Sequence, residues 1–126
     1  MSTDDGKELR AKETEQALVD LAIESWRFQK LFARALGTLD AGESGRFANQ
    51  HRYFIKRIDD CLAAAGLKLV NLEGHGYDPG AAVTALNVGD FNAEDQLVVD
   101  QMIEPVVMSK SGLLRTGTVM LRKAEL

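Results

Sequence analysis

The apolar positions of the first third of the chain step alternately by three and four residues. Leu18, Leu21, Ser25, Phe28, Phe32, Ala35 and Leu39 trace this seam, the spacing of an a/d heptad stripe with one polar member, Ser25. Trp26, Leu31 and Leu36 widen it, so the helix is expected to meet more than one helical neighbour. Good helix formers and the absence of proline extend it over residues 5–39. Asp5 with Glu8 has capping-box spacing, with Asp4 or Thr3 as rival caps. Gly37, Gly42 and Gly45 interrupt helix. Asp40 with Glu43, or else Ser44, can cap a second helix reaching about Ala65. Its stripe is Phe47, His51, Phe54, Ile58, Cys61 and Ala65, flanked by Ile55 and Leu62. Gly66 suits the left-handed residue that closes such a helix.

After Gly66 the period changes to two. Residues 67–72 alternate and predict a short strand or extended connector. Residues 74–80 are rich in turn formers, and Asp78-Pro79 has the form of a cap followed by proline at the first helical position. That dipeptide predicts a short helix over 79–86, followed by a polar loop over 87–96. Residues 97–108 and 113–122 read as the two strands of a hairpin turning at Ser109-Lys110-Ser111-Gly112. Pro105 places an edge or a bulge in the first of them. The expected class is therefore α+β: a helical stem over 1–66 and a small β wing over 67–126.

Charge and composition narrow the functions. The net charge is −4 with no basic stripe, which argues against nucleic acid as a partner. Aromatic residues are only 6%, so the core must be mainly aliphatic. The start is acidic and polar, unlike a signal peptide, and no run approaches a membrane span. The lone Cys61 cannot form an internal disulfide. A cytoplasmic protein is expected, without a membrane partner.

No residue pattern carries chemistry. His51 lies on the helical stripe and His75 in a glycine-rich loop, without the spacing of a zinc site. Cys61 is flanked by Asp59 and Asp60 and reads as a buried structural thiol, not a nucleophile. His75 and Asp78 lack a nucleophile elbow, and Gly74, Gly76 and Gly80 lack the Lys-Ser/Thr of a phosphate loop. Neither enzyme activity, metal nor cofactor is expected.

A family resemblance gives the wing a role. Ala65-Gly66-Leu67, then Gly76-Tyr77-Asp78-Pro79, then Ala82-Val83 follow one another in order. Val98-Val99-Asp100, Gly112 and Leu114-Arg115-Thr116-Gly117-Thr118-Val119 come after them. This succession, behind two helices, resembles the GrpE family, the nucleotide exchange factors of DnaK-type chaperones, as a short and divergent member. Thr116 stands where the family has proline, and Pro105-Val106 where it has a glycine–aromatic pair. The resemblance implies a homodimer built as a four-helix bundle through Leu18, Leu21, Phe28, Phe32, Leu39, Phe47, His51, Phe54, Ile58 and Cys61. It also implies a wing that binds the ATPase domain of a DnaK-type chaperone or a related ATPase. Arg115 matches the family's wing arginine. Met102, Val106, Met108, Leu114 and Val119 are the candidates for the apolar contact face, only some of which can point outward because strand neighbours alternate. The alternative is a dimeric scaffold with the same fold and no effect on nucleotide.

Overall fold

The computed structural model describes residues 3–125. Helix α1 spans Thr3–Leu36 and α2 spans Ala41–Ala64. Asp4 and Asp5 open α1 and Arg34 lies in its last turn, each complementing the helix dipole. Thr38 ends it, its hydroxyl donating to the Ala35 carbonyl at 2.7 Å. Asp40 is the cap of α2: its Oδ1 accepts the Glu43 N–H at 2.9 Å. This starts α2 ahead of the rival cap Ser44. Gly66 takes φ +75° as α2 closes, the left-handed value that glycine reaches without a Cβ clash.

The chain divides into two compact units, residues 1–54 and 55–126, with α2 contributing to both. In the first unit α1 and the start of α2 are clasped by His51. Its Nε2 lies 2.9 Å from Gln29 Oε1 and 3.1 Å from the Gln29 carbonyl. The His51 ring also sits 5.6 Å from that of Phe32.

The second unit holds six strands: β1 (Leu67–Val70), β2 (Val83–Ala85), β3 (Leu97–Glu104), β4 (Val106–Ser109), β5 (Gly112–Arg115) and β6 (Gly117–Lys123). They form two three-stranded sheets, ordered β1-β4-β5 and β2-β6-β3. The expected pair of continuous strands is thus corrected. Each arm of the long hairpin is cut in two, at Pro105 and at Thr116. Proline has no N–H for a ladder bond, and Pro105 is fully buried at the break. The distal halves, β4 and β5, pair with each other and take β1 on the free side of β4. The proximal halves, β3 and β6, pair antiparallel, and β6 takes β2 in parallel.

The predicted helix over 79–86 is also overturned. Asp78 closes only a turn, accepting from Gly80 N–H at its Oδ1 (3.0 Å) and from Ala81 N–H at its carbonyl (2.8 Å). The chain then enters β2, where pairing with β6 outweighs the weak helical signal of Ala81-Ala82. Gly117 N–H donating to the Ala82 carbonyl at 2.9 Å starts that pairing.

The wing core is aliphatic, as the composition requires. Leu67, Val99, Met102, Val106, Val107, Val119 and Leu121 are buried in it, and Leu62 of α2 is buried in the same unit. Where β2 stops, the half-buried Asn87 side chain replaces a strand. Its Nδ2 donates to the Leu121 carbonyl at 3.0 Å and its Oδ1 accepts the Leu121 N–H at 2.9 Å. Asn87→Ala is expected to cost about 2 kcal/mol, because it strips both backbone groups of a buried residue of their partners. Urea unfolding monitored by circular dichroism measures this. An unchanged midpoint would mean that water replaces the amide without loss.

Candidate functional site

On α1 the heptad seam and the buried face are different faces. Val19, Ala22 and Ile23 are buried, and the 3.6-residue period puts them on the far side of the helix from Leu21 and Phe28. Leu21 and Phe28 are 65% and 61% exposed, and Leu31 beside them 59%. Leu18 and Phe32 of the same seam are half-buried. Ser25, the polar member, donates its hydroxyl to the Leu21 carbonyl at 2.8 Å, so it can lie in an apolar seam with its hydrogen bond made. On α2, Phe47 and Phe54 are exposed, as is Leu39 in the preceding turn, while His51 and Ile58 are half-buried. Cys61 is exposed, which corrects the expectation of a buried thiol: the buried residue of this turn is its neighbour Leu62.

On the wing the structure sorts the candidate contact face. Met102, Val106 and Val119 are buried, so they belong to the wing core and cannot face a partner. Met102 is further fixed by its own polar atoms. Its Sδ accepts the Leu72 N–H at 3.0 Å, and its N–H donates to Glu73 Oε2 at 3.1 Å. Leu114 is exposed, and Met108 and Arg115 are half-buried. Sequence reasoning missed Leu113 and Ile103, both exposed. Leu113 and Leu114 are neighbours on β5, an edge strand, where only one flank is covered by pairing. Around the candidate face, Leu113, Leu114 and Ile103 therefore point outward, with Met108 and Arg115 half covered. Two carboxylates of β3 have partners of their own, and Arg115 is itself engaged. Asp100 meets Arg122 Nε at 3.3 Å and Glu104 Oε1 accepts the Thr118 hydroxyl at 3.0 Å.

His75 is exposed in the loop that runs along β3. There Gly74 N–H donates to the Val99 carbonyl, Val99 N–H to the His75 carbonyl and Tyr77 N–H to the Leu97 carbonyl, at 2.8–2.9 Å. That loop covers an otherwise bare sheet edge, which is a structural task. Among the described residues no group of three or more His, Cys, Asp or Glu could hold a metal ion, and no helix is long and apolar enough to cross a membrane. Compared with family models, with curated proteins and with solved structures, the chain finds no match.

Proposed function

We propose that the protein is a GrpE-like co-chaperone. In this reading it is a homodimer joined through the α1 seam, whose wing binds the ATPase domain of a DnaK-type chaperone or a specialised relative and speeds release of ADP. The observation that supports the wing's part is the split hairpin. It sets Leu113, Leu114 and Arg115 on an edge strand, on a frame held rigid by a buried aliphatic core. An arginine among exposed leucines suits a protein contact, since such interfaces favour Arg with apolar neighbours. The exposed stripe of Leu21, Phe28 and Leu31 supports the dimer, because apolar residues clustered on one helix face mark an interaction surface.

The mechanism requires no bond chemistry. A wing that binds the open form of a nucleotide cleft better than the closed form shifts the cleft open by that difference in affinity and by nothing else. A preference of about 1.4 kcal/mol is already tenfold.

The test has two arms. Release of labelled ADP from a DnaK-type ATPase is expected to accelerate when the protein is added, and Arg115→Ala is expected to weaken the complex by about tenfold or more in calorimetry. The dimer should survive that substitution. Binding without faster release would leave the scaffold reading in place. Undiminished affinity of Arg115→Ala would remove Arg115 from the interface.

A further inference from the structure

Helix α1 carries its charge in two blocks. Residues 13–24 contain Glu13, Glu15, Asp20 and Glu24 and neither lysine nor arginine. Residues 25–36 contain Arg27, Lys30 and Arg34 and neither aspartate nor glutamate. Helix α2 adds to the second block: docked on Gln29 through His51, it brings Arg46 and Arg52 against one acid, Glu43, in residues 41–54. Four of the α1 charges recur every seven residues: Glu13, Asp20, Arg27 and Arg34. That spacing drifts only about 20° around the helix per repeat, so they form one row. All four are exposed. Asp20 and Arg27 directly precede the exposed Leu21 and Phe28, so the row flanks the apolar stripe.

Two copies of α1 laid side by side can run the same way or opposite ways. Running the same way in register, each residue lies level with its twin, Asp20 with Asp20 and Arg27 with Arg27. Running opposite ways about a twofold axis, residue i meets residue j and j meets i, and the same flank of each helix faces the other. Glu13 then falls level with Arg34 of the second copy and Asp20 with Arg27, and each pair occurs twice. The apolar stripe obeys the same axis. The point midway between Leu21 and Phe28 lies one residue, about 1.5 Å, from the point midway between Asp20 and Arg27. One crossing therefore packs Leu21 on Phe28 of the second copy and sets opposite charges beside them. We propose that the stems pair antiparallel, α1 against α1 of a second copy, in the orientation set by this reversal of charge. Exposed ion pairs add little affinity, but flanking charges choose the orientation of paired helices because the wrong one sets like against like. The inference rests on the dimer proposed above and adds its orientation.

The test uses the full chain with Cys61→Ser, which removes the exposed native thiol, and Arg10→Cys carrying a nitroxide. Arg10 is exposed on α1, and matching circular dichroism spectra would show that the fold is kept. Dipolar electron resonance reads the distance between the two labels. Antiparallel pairing about this axis separates them by about 40 Å along the stem, at 1.5 Å per residue. Parallel pairing in register brings them within about 20 Å, the spacing of packed helices plus the label arms. Exchange of charge gives a second readout, by sedimentation equilibrium. Asp20→Arg and Arg27→Asp are each expected to weaken association by about tenfold, and the two together to restore it to within about threefold. A parallel pair keeps like against like in all four proteins, so the exchange would rescue nothing. A label distance near 20 Å, or no rescue, would overturn the inference. Faster ADP release from a dimer with that short distance would uphold the exchange reading while overturning this one. A wild-type mass of one chain would overturn the dimer and its orientation together.

Discussion

Phe28→Asp is expected to turn the proposed dimer into a folded monomer. Phe28 is 61% exposed in the single chain, so the intramolecular core loses little when it is replaced. In a twofold seam the same change enters from both copies. Each forfeits about 1.5–3 kcal/mol of phenylalanine burial, and each must also desolvate a carboxylate or expel it. The smallest sum, about 3 kcal/mol, weakens association by roughly a hundredfold or more. Sedimentation equilibrium of wild type and variant at matched concentrations measures it. Phe32→Asp is the informative contrast: Phe32 lies against the His51 ring, so its loss should lower stability as well as association. A wild-type mass of one chain would remove the premise of the seam.

Gly117→Val should unfold the wing at a much lower temperature while leaving the helical hairpin in place. A Cβ at residue 117 would stand 2.7 Å from Met102 Cε, 3.0 Å from the Glu104 carbonyl oxygen and 3.1 Å from Val106 Cγ2. One of these neighbours cannot yield: the Glu104 oxygen is backbone adjoining the buried Pro105. Met102 Cε is the end of a flexible side chain, but at 2% exposure it has to swing within a packed core. Overpacking of this kind costs about 1–3 kcal/mol, and the two further methyl groups of valine place the cost at the upper end. For a domain of this size each kcal/mol shifts the melting point by about 4–8 °C. Thermal unfolding should show the wing transition lowered by more than about 10 °C. A shift of only a degree or two would mean that the strand crossing is looser than these distances imply.

The helical part of the fold was legible because its signals are local. Gly37, the Asp40 cap and Gly66 each act within a turn of their own position, and each ends or starts a helix where its chemistry requires; Gly42 and Gly45, expected to interrupt helix, instead lie inside the first turns of α2. The wing was legible only in outline. Alternation gave strand positions, but β4 and β6 are claimed by β1 and β2 from far along the chain, and no local period reveals that. Asp78-Pro79 misled for the same reason, since a dipeptide suited to start a helix serves equally well in a turn when a strand waits downstream. The candidate contact face was read from a family pattern, which does not say which side of a strand faces the core. Met102, Val106 and Val119 proved to be core, and Leu113 took their place outside.

The strand order has a consequence for synthesis. The middle strand of one sheet is β4 and that of the other is β6, and both follow β1, β2 and β3 in the order of synthesis. Until Val106–Ser109 and Gly117–Lys123 leave the ribosome, β1, β2 and β3 have no ladder partners among themselves. Helices α1 and α2 are held largely by bonds within each helix and are joined by a short turn, an arrangement that forms fast, and they precede the strands in the chain. Each nascent chain therefore exposes Leu21, Phe28 and Leu31 while the wing is still unfinished, so in the proposed dimer the stems would pair ahead of the completion of either wing.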